Sequence, residues 1–156
     1  MSKLTHIDEH GKANMVDVAD KAITKRSATA TGFIAMNQAA LDAVKDQNNK
    51  KGDVLSVARV AGIMAAKQTA NLIPLCHPLA LSKVQIDFEQ NENGIRVFSL
   101  AKCEGKTGVE MEALTGANVA LLTLFDMCKA LDPEMLISDV KVNTKTGGKT
   151  GDWTRS

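Results

Sequence analysis

Apolar and polar residues follow two different periods along this chain, and each period predicts a kind of element. Residues 22–34 are rich in Thr and small side chains, which favours a strand. Residues 82–90 alternate between apolar and polar side chains, the pattern of a half-buried strand. Residues 94–104 and 135–145 predict two further strands. The Asn-Gly pair at 93–94 predicts a type I′ turn between the second and third strands.

Three segments have helical periodicity instead. The first covers residues 36–47, with Asn37 as its N-cap. Asp53 caps the second, which is predicted to run to about Ala70. The third lies in the apolar run 111–131, and an Asp-Pro pair ends it.

The predicted order is strand, helix, helix, strand, strand, helix, strand. This is the split βαβ pattern of a ferredoxin-like α+β sandwich, an antiparallel sheet with helices on one face. We expect one domain over residues 1–156, with a flexible arm at 1–20 and a flexible Gly- and Lys-containing tail at 146–156. The sheet face without helices needs cover, which association of subunits would supply.

The third predicted helix has a narrow polar stripe on an apolar background. The polar side chains share an arc of about 140° and are Glu112, Thr115, Asn118, Thr123, Asp126 and Lys129. One interpretation is a solvent-exposed face. The other is the polar wall of a cleft, where the pKa values of charged groups can be shifted, and the scarcity of Lys and Glu favours it. Polar residues interrupt the run too often for a bilayer span.

The two acids of this stripe are far apart. At about 1.5 Å per residue, Glu112 and Asp126 lie about 21 Å from each other along one helix. Two groups that far apart cannot share one small reacting centre within a chain. Catalysis by both therefore requires a long substrate or sites completed by a neighbouring subunit.

Composition and charge exclude several classes of function. The net charge is +1 and aromatic residues are scarce, which argues against a nucleic-acid partner. The three cysteines, at positions 76, 103 and 128, form neither a metal pair nor a disulfide framework, so we predict no metal and a reducing cytoplasm. The N-terminus has no apolar leader, so neither secretion nor a membrane location is expected.

The tetrapeptide GKTG occurs twice, at residues 105–108 and 148–151. Neither copy is a Walker A motif, because Leu100 and Asn143 stand where its first Gly is required. GxSxG, HExxH and GxGxxG are absent, so no hydrolase, zincin or dinucleotide-cofactor site is predicted. Gly-rich turns can still hold phosphate through backbone N–H groups, and the first copy precedes a helix N-terminus, where anions are favoured.

Cations and a few acids remain as a candidate site. The possible anion binders are Arg26, Lys51, Lys67, His77, Lys129, Lys145 and Lys149, and the possible acid or base groups are Glu110, Glu112 and Asp126. Two prolines stiffen the loop around His77, so a structural role and a role toward phosphate or a proton are equally supported. Lys67 ends a predicted helix, where the helix dipole alone explains a cation.

Asp126 and Lys129 stand at i, i+3 on one helix face. They form either a surface ion pair of small energetic effect or a carboxylate and ammonium suited to proton transfer. The residues alone favour an enzyme acting on a phosphorylated small molecule. The alternative is a non-catalytic ferredoxin-like sensor that binds a phosphorylated metabolite at a subunit interface without turnover.

Five strings, spread over nearly the whole chain, resemble one known family. They are MVDV at 15–18, LIPLCHPL at 72–79, GKTGVEMEALT at 105–115, DMCKA at 126–130 and GGKTGD at 147–152. The family is that of the MoaC proteins, the cyclic pyranopterin monophosphate synthases of molybdenum cofactor biosynthesis. The chain departs from it at Phe125, where many members have Tyr, and at Gly116 and Asn118, where small Ala and Ser are usual.

The resemblance implies a ferredoxin-like subunit in a hexamer, a trimer of dimers, with active sites at the dimer interface. That arrangement would bring the two ends of the third helix together from different chains. The implied reaction converts 3′,8-cyclo-7,8-dihydro-GTP to cyclic pyranopterin monophosphate plus diphosphate. The resemblance implies no cofactor.

Site residues also follow from the resemblance, string by string. The implied catalytic residues are Asp126 as acid or base and Lys129 and Lys51 as its proton-transfer or anchoring partners. The implied substrate-binding residues are Leu75, Cys76, His77, Met111 and Glu112. Further pocket-lining residues, with the cations on the triphosphate, are Glu110, Arg26, Lys67, Lys145 and Lys149.

Overall fold

The computed structural model describes residues 3–46 and 53–156, which fold into an antiparallel sheet with helices on one face. In chain order its elements are β1 (Thr24–Ala35), α1 (Gln38–Lys45), α2 (Val54–Ala66), α3 (Thr69–Leu72), β2 (Leu81–Gln90), β3 (Gly94–Gly105), α4 (Glu110–Cys128), β4 (Leu136–Thr146) and β5 (Trp153–Thr154). The predicted α+β, ferredoxin-like class is confirmed. Two short elements, α3 and β5, were not predicted.

The long strand β1 lies at the centre of the sheet, whose strand order is β2-β3-β1-β4-β5. Both neighbours of β1 run antiparallel to it. From Ala28 to Ile34 every second residue of β1 is buried toward the helices, and Ala28, Ala30 and Ile34 are fully buried. Small residues there let α4 pack closely on the middle of the sheet, which sets the position of the N-terminus of α4.

Both predicted helix caps are confirmed. The Asn37 side chain accepts a hydrogen bond from the Ala40 amide at 2.9 Å, and the Asp53 carboxylate accepts one from the Ser56 amide at 3.3 Å. The end of α2 was predicted wrongly, because the helix stops at Ala66 rather than near residue 70. There the buried Thr69 hydroxyl donates to the Ala66 carbonyl, satisfying a helix-end acceptor locally.

The predicted type I′ turn at 93–94 is also wrong. Neither Asn93 nor Gly94, both within the described residues, has a positive φ. Instead, the Asn91 side-chain oxygen accepts hydrogen bonds from the amides of Asn93 and Gly94, at 2.8 and 3.0 Å. Position 94 requires glycine because there is no room for a side chain, not because of its φ. A Cβ there would collide with the Ile34 carbonyl.

The polar stripe of α4 is not one continuous cleft wall. Glu112 and Thr115 are buried, whereas Asn118, Asp126 and Lys129 are exposed. The helix is apolar and long enough to cross a membrane by composition and length, yet half of that stretch is buried within the protein. This is the environment of a core helix.

Helices α2 and α4 cross at a pair of glycines. A Cβ added to Gly62 would lie 2.8 Å from the Gly116 carbonyl oxygen, and one added to Gly116 would lie 3.1 Å from Ser99 Oγ. The backbones can approach this closely because both positions lack side chains. Gly116 therefore lowers the helix propensity of α4 but also permits α2 and α4 to pack closely against each other.

We expect Gly62→Ala to lower the free energy of unfolding by about 1–2 kcal/mol, because overpacking against backbone outweighs the gain of about 1 kcal/mol in helix propensity. Urea denaturation measures the change. Ala61→Gly, one residue earlier on the same helix, reports the propensity effect alone. An unchanged or higher midpoint for Gly62→Ala would show that the crossing tolerates a methyl group.

The sheet face opposite the helices carries a charged cluster. Asp139 pairs with Arg96 at 3.2 Å and with Lys141 at 3.0 Å. Asp139 has a φ of 56° and lies where the β1–β4 register shifts, as expected at a β-bulge. Phe33 lies under the Arg96 guanidinium on the same face. That another subunit covers this face remains a prediction.

Candidate active site

A cavity of about 400 Å³ lies where the start of β1, the N-terminus of α4 and four loops meet. The loops are the Pro-containing segment 73–80, the turn between β3 and α4, the Gly-rich turn after β4 and the N-terminal residues before β1. Most of the predicted site residues line this one cavity, namely Arg26, Leu75, Cys76, His77, Glu110, Met111, Glu112, Lys145 and Lys149. Residues from distant parts of the sequence thus share one concave surface.

Arg26 is held rigidly at the cavity wall. Its Nε donates to the Gly105 carbonyl at 3.2 Å and its Nη2 donates to the Lys106 carbonyl at 3.3 Å. On its other side, a Cβ at Gly148 would lie 2.5 Å from Arg26 Nη1, and Gly148 has a φ of +86°. The second GKTG copy therefore requires glycine here for both conformation and space. A guanidinium fixed by carbonyls is a preorganised cation.

Two acids at the start of α4 have different environments. Glu110 pairs with Lys145 at 3.6 Å, while Glu112 is only 4% exposed. Burial raises the pKa of Glu112 from 4.5 to about 7, and the charge of Glu110 adds to the rise. Near neutral pH, Glu112 can therefore hold or release a proton while its neighbour stays tied to a cation.

Cys76 and His77 reach the cavity from the loop between α3 and β2. Burial, with the nearby Glu112 carboxyl, raises the pKa of the Cys76 thiol, so this cysteine stays neutral. His77 Nε2 lies 2.6 Å from the Val16 carbonyl oxygen. The two interpretations of His77 are thus compatible, because it makes a structural hydrogen bond and also lines the cavity.

The remaining predicted residues lie elsewhere. Asp126 and Lys129 form an ion pair at 2.6 Å with side chains 58% and 56% exposed, near the other end of α4. Lys67 is exposed at the C-cap of α2. None of these three lines the cavity within one chain. Lys51 falls outside the described residues 3–46 and 53–156.

Sequence reasoning missed several residues that line the cavity. They are Thr5, His6, Val16, Val18, Lys21, Ser27, Thr107, Gly108, Thr146, Gly147 and Thr150. The N-terminal ones fall in the segment expected to be a flexible arm, although the MVDV string was a signal that this segment mattered. Among residues 3–46 and 53–156, no group of three or more His, Cys, Asp or Glu is placed to hold a metal ion.

Comparison with known proteins supports the same family as the residues that line the cavity. The family model described as "MoaC family" matches residues 15–148. A Brucella ovis protein named cyclic pyranopterin monophosphate synthase is 55% identical over 153 residues, which cover 97% of this chain and 93% of that protein. On this similarity over nearly its full length, the chain belongs to the MoaC family.

Proposed function

We propose that this protein is a cyclic pyranopterin monophosphate synthase. It converts 3′,8-cyclo-7,8-dihydro-GTP to cyclic pyranopterin monophosphate plus diphosphate, a lyase step of molybdenum cofactor biosynthesis. The observation that carries the proposal is a cavity that brings several cations, among them the fixed Arg26, to a buried acid, in a chain 55% identical to a protein of that name.

The cavity suits a triphosphate substrate. Arg26, Lys145 and Lys149 supply positive charge. The first turn of α4 supplies backbone N–H groups, because its N-cap Val109 offers no side-chain acceptor. Departure of diphosphate builds negative charge on the leaving group, and preorganised cations and amides stabilise such charge most effectively.

Proton transfers of the ring rearrangement need groups that change protonation near neutral pH. Glu112 is one such group on the cavity side. Asp126, Lys129 and Lys51 are the proposed catalytic set, with Asp126 as acid or base. Lys67 belongs to the proposed triphosphate contacts.

The site is proposed to be shared between subunits of a hexamer built as a trimer of dimers. Within one chain, α4 holds Glu112 and Asp126 about 21 Å apart, so both can act on one substrate only if a second copy supplies one of them. Leu122 lies one turn before Asp126 and is exposed, as are Val57, Val60 and Met64 on the adjoining α2. This apolar surface supports association of copies near Asp126.

The proposed location is the cytoplasm, which agrees with the free thiols of all three cysteines. The proposed partners are the small-molecule substrate and further copies of the chain, with no cofactor.

Incubation of the purified protein with the cyclised dihydro-GTP tests the function directly. We expect diphosphate and the oxidised fluorescent pterin in equal amounts, and loss of both in Asp126→Asn and in Lys51→Ala. Tight binding of the substrate with neither product would contradict the synthase and favour the sensor alternative.

Mixing two inactive variants tests the shared site. We expect Arg26→Ala and Asp126→Asn each to be inactive, and a 1:1 mixture, unfolded and refolded together, to recover about a quarter of wild-type activity. Random pairing gives half of the dimers one subunit of each variant. In each of these dimers one site is unaltered and the other carries both substitutions. Each variant refolded alone is the control. No recovery, with mixed dimers confirmed by differential tagging, would place the site within one chain.

A further inference from the structure

The N-terminal residues 4–18, here called the strap, form part of the cavity without having been assigned any role in the reaction. Thr5, His6, Val16 and Val18 all line the cavity. The strap thus contributes two stretches of wall on the side that the helices and strands leave open.

A short hairpin gives the strap its shape. The Asp8 carboxylate accepts hydrogen bonds from the amides of His10 and Lys12, both at 2.9 Å. The Asn14 amide donates to the His6 carbonyl at 2.8 Å, and Ile7 bridges to Ala13. Asp8 itself does not line the cavity, yet its bonds hold the hairpin that carries His6 there.

The strap also holds His77. The hydrogen bond between His77 Nε2 and the Val16 carbonyl, 2.6 Å long, joins residues 61 positions apart. A carbonyl oxygen only accepts, so Nε2 must carry the proton. In neutral His77 the other nitrogen, Nδ1, is then unprotonated and can accept a hydrogen bond or a proton.

Within residues 3–46 and 53–156, the strap has few hydrogen bonds to the rest of the chain. Besides the His77 bond, Lys106 Nζ donates to the Ala19 carbonyl just beyond the strap at 3.0 Å. The apolar side chains Leu4, Ile7 and Met15 are exposed rather than packed in the core. A segment with few buried apolar contacts opens at small free-energy cost, so ligand contacts can shift its equilibrium.

We propose that the strap closes over the anionic ligand and at the same time fixes His77 as its Nε2–H tautomer. The Val16 main chain acts as a positioning group for His77, and His6 becomes a ligand contact only in the closed state. The inference rests on the proposed function for the nature of the ligand, a compound with a diphosphate or triphosphate group.

The test compares the full-length protein with Asp8→Ala, which removes the acceptor of two hairpin bonds, and with Glu9→Ala. Glu9 is a matched control, because it neighbours Asp8, is exposed and pairs with the exposed His10 side chain at 3.5 Å. Nitrogen-15 NMR reports the tautomer of His77, assigned by its loss in His77→Gln. Hydrogen exchange of amides 5–18 is followed with and without inorganic diphosphate, and thermal melting verifies the fold.

We expect the wild type and Glu9→Ala to show one His77 tautomer, protonated at Nε2, and diphosphate to slow exchange in the strap. Asp8→Ala should show both tautomers, lose the protection and raise KM about tenfold with kcat changed less than twofold. An unchanged His77 spectrum in Asp8→Ala, or no protection by diphosphate in the wild type, would overturn the proposal. Neither the His77 spectrum nor the hydrogen exchange requires turnover, so these two readouts decide the inference even if the synthase assay fails.

Discussion

Replacing Asp126 with Asn should lower kcat on the cyclised dihydro-GTP by about 10²–10⁴-fold, the usual contribution of a positioned acid or base. The change keeps the size of the side chain and an oxygen that can accept from Lys129 Nζ, now at 2.6 Å. It removes the charge and the capacity to take up a proton. Steady-state kinetics on the assembled protein measures the effect.

Stability should hardly change in this variant. The Asp126–Lys129 pair is more than half exposed, and such pairs contribute less than about 1 kcal/mol. Asp42→Asn is a matched control, since Asp42 is an exposed helical aspartate that accepts from the Gln38 side chain at 2.7 Å. It should retain full turnover. Equal turnover in Asp126→Asn would remove Asp126 from the acid or base role.

Replacing Glu112 with Gln should raise the free energy of unfolding at pH 8 by about 3 kcal/mol. Burial raises the pKa of Glu112 from 4.5 to about 7 in the folded protein, and each tenfold change in proton affinity corresponds to about 1.4 kcal/mol. Gln fits the same space without a charge to bury. We infer that the carboxyl is kept for function despite this destabilisation.

The sign of the pH dependence follows from the direction in which the pKa of Glu112 moves. Below pH 4.5 the carboxyl is protonated in both states, so wild type and Glu112→Gln should be equally stable. Between about pH 4.5 and 7 the folded state binds more protons than the unfolded state, so the stability of the wild type falls as pH rises. Above pH 7 the full difference should be present.

Urea denaturation at several pH values from 4 to 8.5 checks this prediction. Glu110→Gln is the control, because Glu110 shares the cavity but pairs with Lys145, and it should give no comparable gain at pH 8. A difference between wild type and Glu112→Gln that stays constant with pH would show that Glu112 does not titrate in this range.

Local patterns determined the longer elements and the residues that cap two of the helices. Strand alternation, helical periodicity and the caps Asn37 and Asp53 were predictable because each depends on residues within one or two turns of chain. The order of elements then restricted the topology to the ferredoxin-like class. Features that depend on partners distant in sequence were predicted wrongly or not at all, such as the space requirement of Gly94 beneath the Ile34 carbonyl.

For the candidate site, too, the sequence determined some features and the tertiary structure determined the others. The sequence, through its resemblance to a family, identified the residue types, and helix geometry alone separated Glu112 from Asp126 by about 21 Å. Only the tertiary structure placed Arg26 between two carbonyls and a glycine, buried Glu112 and brought the N-terminal segment to His77. These contacts join parts of the chain far apart in sequence. Burial and hydrogen-bond partners, which set pKa values and orientation, therefore exist only once the chain has folded.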